Sequence, residues 1–186
     1  EKVKKNYKKM KIYKTKFKDL LIIKQKKNID KRGSLRETFN KKIINKRFVF
    51  EYCTTSKKNV LRGFHFQTRC QQAKYVNVLK GRILDVVIDL RKKSRTFGKT
   101  FKIVLSQQNA TGLFIPRGFA HAYYSYEKEN IINYKLDNFY KPKYENGIIY
   151  NDKIINIRWP KKRVFLSIKD KKLQSFEIFC KTFSGL

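Results

Sequence analysis

Apolar residues recur at every second position through residues 60–91, and this alternation constrains the fold more than any other feature of the chain. One run lies around Val76 and Val78, and a second run lies between Leu84 and Leu90. A period of two is typical of a half-buried β-strand, and a glycine such as Gly81, between the runs, is common in turns. The pattern predicts two strands that pair as a β-hairpin.

Short runs of the same kind follow one another as far as residue 136, and residues that favour turns separate them. Many short strands with turns between them predict an all-β sandwich or barrel. The predicted strands span residues 47–53, 60–67, 73–79, 82–90, 100–105, 112–115, 120–126 and 131–136.

The start of the chain shows a weaker pattern. Residues 1–9 are charged and lack periodicity, which predicts a tail, and residues 11–23 suggest one or two strands. No linker rich in Pro, Gly or Ser divides residues 10–186. We therefore expect these residues to form a single domain.

Helical signals are few. Residues 41–46 are compatible with one short helix, and residues 142–160 read as a loop. Apolar residues between Leu173 and Phe183 have helical spacing and predict a helix that packs on the rest of the fold. The fold class we predict is all-β, with a few short peripheral helices.

The chain has 186 residues and a formal net charge of +32, a value that usually indicates a nucleic-acid or membrane-surface partner. However, 35 of the 46 basic residues are Lys, and they are spread along the whole chain. This distribution predicts weak, sequence-independent binding of nucleic acid and no specific nucleic-acid partner. A basic nucleic-acid binder stays an alternative.

The three cysteines, Cys53, Cys70 and Cys180, show no CxxC spacing. The sequence therefore predicts neither a disulfide framework nor a zinc site, and a reducing cytoplasm is the expected compartment. The apolar run at residues 20–23 is too short for the core of a signal peptide, and no run approaches the length of a membrane span. We expect no membrane partner.

Polar side chains that bind anions or carbonyl oxygens crowd the segment around His65. Burying polar groups on an apolar strand costs free energy unless they face a wet cavity. We therefore expect this segment to form the floor of a binding site. Its polar residues are Arg62, Gln67, Arg69, Gln71, Gln72 and Lys74.

A second histidine, His121, follows Gly112, Pro116 and Gly118 in an order that places a histidine inside a small jelly-roll barrel. His65 could enter the same space from the facing sheet, which raises the hypothesis of a metal site. A transition metal in such a barrel needs further His or carboxylate ligands, and the chain has no third histidine. We predict no metal. The alternative for both residues is that of core histidines with satisfied hydrogen bonds.

Six segments in matching order and spacing carry a family resemblance: VLRGFHFQ, QAKYVNVLKGRILDVVIDLRKKSRTFGK, IPRGFAHAYY, the Tyr134 and Lys135 pair, NDKIINIRWP and LSIKD. Over residues 11–170 the chain resembles the dTDP-4-dehydrorhamnose 3,5-epimerase family. The resemblance implies a cupin jelly roll, a homodimer, and no metal or other cofactor. The implied reaction inverts C3 and C5 of a nucleotide-linked 4-keto-6-deoxy sugar, converting dTDP-4-dehydro-6-deoxy-glucose to dTDP-4-dehydrorhamnose for surface polysaccharides.

Inverting a carbon next to a ketone requires a base on one face, an acid on the other, and donors for the enolate oxygen. By resemblance, His65 is the base, and Asp170 pairs with its ring to fix the tautomer. By the same resemblance, Lys74 would lie beside the ketone oxygen and hold the developing negative charge, and Tyr134 would return a proton from the opposite face.

The resemblance also implies a set of substrate-binding residues. Arg62 meets the diphosphate and Tyr140 lies near the nucleotide base, while Arg32 and Glu37 come from a neighbouring subunit. From the residues alone, Arg62 could be a surface charge and Arg32 could stabilise a turn. The other candidates line or flank the polar floor: His121, Asp85, Gln67 and Lys169.

The chain departs from the family pattern where the nucleotide and the outer part of the sugar are expected. Phe50 and Tyr52 stand where the family usually has Gln and Asn, and Phe139 replaces a common Tyr. A single-centre epimerase, or one that acts on a different dTDP- or CDP-linked 4-keto sugar, therefore stays open. A cupin binding protein without catalysis is the alternative from another class.

Overall fold

A computed structural model of the chain describes residues 9–186. The predicted tail at residues 1–9 lies, except for Lys9, outside the described residues. Two antiparallel sheets form the body of the fold. The larger sheet has six strands, in the order β1 (Lys11–Lys14), β2 (Leu21–Lys24), β10 (Thr111–Ile115), β7 (Lys74–Lys80), β12 (Glu129–Leu136) and β5 (Phe50–Lys57).

The smaller sheet has five strands, and a separate hairpin completes the β structure. The order in the smaller sheet is β13 (Glu145–Gly147), β6 (Leu61–Gln67), β11 (Phe119–Ser125), β8 (Arg82–Asp89) and β9 (Thr100–Ser106). The hairpin pairs β3 (Lys26–Asp30) with β4 (Gly33–Glu37). The all-β prediction is confirmed, and the strands predicted between residues 47 and 136 all form within a few residues of their predicted bounds.

The core lies between the two sheets. Val76 and Val78 of the larger sheet pack against Ile83 and Val87 of the smaller one, together with Tyr134. On the outer side of the smaller sheet, a second apolar cluster is covered by α2 (Phe176–Phe183). Helix α2 confirms the helix predicted between Leu173 and Phe183.

The predicted hairpin between the runs on either side of Gly81 is wrong. Strand β7 pairs with β10 and β12, whereas β8 pairs with β9 and β11, so the chain crosses from one sheet to the other at Gly81. Gly81 has a φ of +82°, and a Cβ there would lie 2.6 Å from the carbonyl oxygen of Glu129. The tight turn forms as predicted, but the strands on either side of it have different partners.

Three local predictions need correction or addition. Residues 41–44 form turns rather than a helix. The segment 142–160, predicted as a loop, contains a 3₁₀ helix at Pro142–Tyr144 and strand β13. A four-residue helix, α1 (Ile168–Lys171), was not predicted; it begins after Ser167, whose hydroxyl accepts a hydrogen bond from the backbone N–H of Asp170 at 3.0 Å. No helix in residues 9–186 combines the length and the apolar character needed to cross a bilayer.

Candidate active site

The first histidine of the site, His65, is held by a carboxylate from helix α1. Its Nε2 lies 2.7 Å from Oδ1 of Asp170, and the other oxygen of Asp170 accepts a hydrogen bond from the backbone N–H of Gly63 at 3.3 Å. Burial raises the pKa of Asp170, but the hydrogen bonds and charge of His65 and the Gly63 N–H outweigh burial and hold the pKa below its usual value. The carboxylate therefore stays ionised. It contacts Nε2 of His65, so the other ring nitrogen, Nδ1, is not bound by Asp170.

The second histidine, His121, has its own carboxylate partner. It lies directly opposite His65 in the register of β11 and β6. Its Nε2 is 2.8 Å from Oδ2 of Asp85 on the neighbouring strand β8. The other oxygen of Asp85 is buried and makes no hydrogen bond within residues 9–186. Each histidine thus pairs with one aspartate, and no group of three His, Cys, Asp or Glu side chains in this part of the chain could hold a metal ion.

Gly63 allows the two histidines to be neighbours. Its φ is +114°, and a Cβ at this position would lie 2.4 Å from the carbonyl oxygen of His121 and 2.7 Å from atoms of Ala122. Any other residue would force β6 away from β11. The polar floor predicted around His65 therefore depends on a glycine that the strand pattern alone does not single out.

Lys74 reaches the site from the facing sheet, at the start of β7. Its side chain is partly buried, and its ammonium group makes no hydrogen bond or ion pair within residues 9–186. Burial lowers the pKa of Lys74 to about 8, although the negative charges of Glu145 and Asp85 act to raise it. An ammonium group without a partner in a partly buried site is suited to binding an anionic oxygen.

Tyr134 lies on β12, next to Lys74's strand and on the same inner face. Its ring contacts the ring of His121 across the gap between the sheets, with a centroid distance of 6.0 Å. Burial, and then the neighbouring Tyr123 and Tyr52, raise the pKa of Tyr134 well above its usual value. The phenol is therefore protonated at neutral pH and can serve as a proton donor.

Arg62 lies at the exposed rim of the site. Its Nε donates to the hydroxyl of Ser56 at 3.2 Å, and one terminal nitrogen donates to the carbonyl oxygen of Thr55 at 3.3 Å. The Ser56 hydroxyl lies 2.8 Å from that of Tyr123. These contacts fix a planar cation at the mouth of the site, where it can bind phosphate oxygens in a forked arrangement.

Glu145 is a site residue that the sequence did not reveal. Strand β13 places it beside two predicted substrate-binding residues, because its carboxylate accepts hydrogen bonds from the Tyr140 hydroxyl and the Lys169 ammonium group. The bond to Glu145, followed by burial, raises the pKa of Tyr140 to about 12. No sequence signal separates Glu145 from the other carboxylates, since it follows the loop at Pro142 rather than a periodic strand.

The Gln67 side chain is occupied by backbone groups. Its amide nitrogen donates to the carbonyl oxygens of Cys70 at 2.7 Å and Phe139 at 3.4 Å, and its oxygen accepts from the N–H of Lys141 at 2.6 Å. These bonds hold the segment that carries Tyr140. Gln67 is therefore engaged in holding this segment in place.

Arg32 and Glu37 do not join the other predicted site residues. Both lie in or beside the separate β3–β4 hairpin. Arg32 is exposed and pairs with Asp30 at 2.7 Å, while Glu37 accepts a hydrogen bond from Asn40 at 2.6 Å. Within residues 9–186 of one copy, neither side chain hydrogen-bonds to His65, Lys74 or Tyr134, and the side-chain hydrogen bonds of each are with residues close in sequence.

The protein-family model for dTDP-4-dehydrorhamnose 3,5-epimerase matches residues 14–177 of the chain. The chain belongs to this family of epimerases. It is 40% identical over 174 residues to the dTDP-4-dehydrorhamnose 3,5-epimerase of Shigella flexneri, a match that covers 90% of this chain and 96% of that enzyme. The epimerase of Methanothermobacter thermautotrophicus is also 40% identical, over 166 residues, covering 85% of this chain and 90% of its own length.

Solved structures agree with the sequence comparison. The epimerase of Legionella pneumophila, solved in complex with dTDP-4-keto-L-rhamnose, superposes with a TM-score of 0.86 and 36% identity, covering 91% of this chain and 94% of that one. The Bacillus anthracis epimerase, solved with TDP and pyrophosphate bound, gives a TM-score of 0.87 and 34% identity, covering 90% of this chain and 99% of that one. The predicted family, the cupin jelly-roll fold and the assignment as an epimerase are confirmed.

Proposed function

We propose that this epimerase inverts C3 and C5 of dTDP-4-dehydro-6-deoxy-glucose and so forms dTDP-4-dehydrorhamnose. The observation that carries the proposal is the placement of a paired histidine and a protonated tyrosine on facing sheets, with a free ammonium group on the strand next to that of the tyrosine. His65 and His121 belong to the smaller sheet, whereas Lys74 and Tyr134 belong to the larger one. A sugar ring between the sheets would meet a base on one face and an acid on the other.

His65 is the proposed base. Asp170 binds Nε2 of the ring, which leaves Nδ1 to remove the proton from the carbon next to the ketone. The ionised carboxylate stabilises the imidazolium that forms. A positioned base of this kind contributes a factor of about 10² to 10⁴ to the rate.

Lys74 is the proposed group that holds the enolate oxygen. As the proton leaves, negative charge moves to the ketone oxygen, and a cation already in place stabilises it without reorganisation. The Lys74 ammonium group has no partner in residues 9–186 that it would have to leave first. The reaction therefore needs no metal or other cofactor in this proposal.

Tyr134 is the proposed acid. It donates the phenolic proton to the enolate carbon from the face opposite His65, and this inverts the carbon. His65 has then gained a proton and Tyr134 has lost one, and exchange with water restores both. The overall reaction is an isomerisation with no net loss or gain of protons.

The substrate's nucleotide is the proposed ligand of the rim. Arg62 would bind the diphosphate, Tyr140 would lie near the base, and Lys169 would act with Glu145 to hold Tyr140 in place. His121 and Asp85 complete the polar floor.

Arg32 and Glu37 make no contact with this site within one copy of the chain, and we propose that they reach the site of a second copy in a homodimer. Light scattering at micromolar concentration tests the dimer, and a monomer would contradict it.

We also propose that the enzyme works in the cytoplasm. The three cysteines, Cys53, Cys70 and Cys180, are free, and Cys53 and Cys70 are exposed. Exposed free thiols persist in a reducing compartment. Fractionation of cells that produce the protein would test this placement.

The proposed reaction is tested by incubating the protein with dTDP-4-dehydro-6-deoxy-glucose in heavy water. We expect deuterium at both C3 and C5 and the appearance of inverted product, followed by NMR. The Tyr134→Phe variant should still exchange deuterium into the starting sugar, because His65 remains, while inverted product falls. Deuterium at one carbon alone would identify a single-centre epimerase, and no exchange at either carbon would contradict the proposal.

A further inference from the structure

The phenol of Tyr134 lacks a hydrogen bond that could fix its direction. Its hydroxyl makes no hydrogen bond to any group in residues 9–186, and its ring instead touches two other rings. His121 meets it edge-on, at 6.0 Å between centroids and an interplanar angle of 65°. Tyr52 stacks on it face to face, at 4.9 Å and 19°. Packing against rings, rather than a hydrogen bond, therefore orients this side chain.

The register of the sheet creates the stacked pair. Tyr52 on β5 is directly opposite Tyr134 on β12. Side chains at directly opposite positions share one face of an antiparallel pair, and aromatic rings placed there interact favourably. β5 is the edge strand of the larger sheet, so no further strand supports Tyr52 from its other side.

Two phenylalanines supply that support. The Phe50 ring lies 5.6 Å from that of Tyr52, and the Phe139 ring lies 6.2 Å from that of Phe50. The four rings of Tyr134, Tyr52, Phe50 and Phe139 form a continuous row, which we call the aromatic row. It extends from the buried site to the surface, where Tyr52 retains 37% and Phe139 retains 55% of its exposure.

We propose that Tyr52 is a positioning residue for the proton transfer from Tyr134, and that the aromatic row holds it in place. This inference rests on the proposed function, because it assigns Tyr52 a role in the step that inverts the carbon. Tyr52 acts through its flat ring, since its hydroxyl, like that of Tyr134, makes no hydrogen bond within residues 9–186. A proton donor displaced by about 1 Å loses about 10²-fold in rate, so a small shift of the Tyr134 ring has a large effect.

The proposal predicts a specific kinetic pattern. Tyr52→Leu removes the flat ring while it keeps an apolar side chain, so kcat for inverted product should fall about 10- to 100-fold with little change in KM. Deuterium exchange into the starting sugar should persist, because it depends on His65 and Lys74. Tyr52→Phe retains the ring and should keep product formation within about threefold of the unmodified protein.

The experiment measures exchange and inversion together in heavy water for the unmodified protein, Tyr52→Leu, Tyr52→Phe and a matched control. Tyr13→Leu is the control, because Tyr13 is an exposed tyrosine on β1, the opposite edge of the same sheet. Tyr13→Leu should leave the rates of deuterium exchange and of product formation unchanged. If Tyr52→Leu does not fold, Tyr52→Thr replaces it, since β-branched residues favour strands. Failure of both variants to fold would show that the ring is structural and would overturn the proposal.

The remaining outcomes separate this inference from the proposed function. If the unmodified protein shows neither exchange nor inversion, the proposed function fails. If the unmodified protein is active but Tyr52→Leu loses exchange and product in parallel, or retains both, the positioning role is wrong. If Tyr52→Phe loses as much product as Tyr52→Leu, the hydroxyl rather than the stacked ring is required, which also overturns it.

Discussion

The two histidine–aspartate pairs of the site have almost the same geometry and very different access to solvent. The ring nitrogen and carboxylate oxygen are 2.7 Å apart in His65–Asp170 and 2.8 Å apart in His121–Asp85. The His65 side chain keeps 29% of its exposure, but that of His121 keeps only 5%. A substrate can reach the partly exposed ring of His65 and exchange a proton with it. The buried ring of His121 can only support the residues around it. We therefore propose that the His65–Asp170 pair acts in the reaction and that the His121–Asp85 pair supports the stability and electrostatics of the site.

The largest expected effect is that of His65→Ala. Exchange of deuterium into the sugar and formation of inverted product should both fall by about 10³-fold, because the variant lacks the base. NMR in heavy water measures both, and circular dichroism checks that the fold is retained. Near-normal exchange in this variant would move the base to Lys74 or His121 and remove the distinction between the two pairs.

Asp170→Asn should have the next largest effect. The amide no longer supplies the negative charge that stabilises the imidazolium, and its NH₂ group favours the wrong tautomer of His65, so kcat should fall by about 10²-fold. The fold should survive, because Ser167 still caps helix α1. Steady-state kinetics with the dTDP-linked sugar measure the effect. An unchanged kcat would mean that the Asp170 carboxylate contributes nothing to the base.

The third prediction concerns the contribution of the buried His121–Asp85 pair to the stability of the fold. His121→Leu would leave the fully buried carboxylate of Asp85 without its hydrogen-bond partner, and breaking a buried pair in this way costs about 3–5 kcal/mol. Urea denaturation at neutral pH measures the free energy of unfolding. Asp170→Asn, measured in parallel, should cost much less, because its partner His65 can still contact solvent. Equal costs for the two variants would contradict the comparison.

The smallest expected effect is a shift in the pH dependence of the rate. The pKa of Lys74 is about 8, so its ammonium group is lost, and activity should fall, as the pH rises through that value. The charge of Asp85 acts to raise this pKa, and Asp85→Asn should therefore move the decline to lower pH. A profile of kcat/KM against pH, which follows the ionisations of the free enzyme, tests the shift, and Lys74→Gln is the control in which this alkaline decline should be absent. A shift in the opposite direction would contradict the assignment of Asp85 as a source of charge at Lys74.

Alternation of apolar residues was sufficient to predict the strands between residues 47 and 136, but it could not predict their partners. Strand β8 illustrates the reason. Ile83 and Val87 face the larger sheet, while Val86 and Ile88 face the cluster under α2, so both faces are buried. A strand buried on both faces contains no signal that distinguishes a hairpin neighbour from a strand in the opposite sheet. The sequence predicts a turn at Gly81, but it does not predict that the chain crosses from one sheet to the other there.

The proposed site residues came from motifs that resemble the family. The resemblance proposed His65, Lys74, Tyr134 and Asp170, and the structure places His65 against Asp170, with Lys74 and Tyr134 on the facing sheet. Glu145 was missed, because its contacts with Tyr140 and Lys169 depend on how the segment after β12 folds back. Such a contact arises from tertiary structure and leaves no periodic trace in the sequence.

The proposed acid and base lie on two sheets that no backbone ladder joins within residues 9–186, because the chain crosses repeatedly from one sheet to the other, as it does at Gly81. Hydrogen bonds fix the position of each group along its own sheet. The width of the gap between the sheets is set by the volumes of apolar side chains such as Val78, Ile83 and Val87. Because interiors are close-packed, a change of one methylene group in this layer alters the spacing of the walls. The hydrophobic core thus works as a spacer for the proton donor and acceptor, and residues that never touch the sugar would tune the turnover rate.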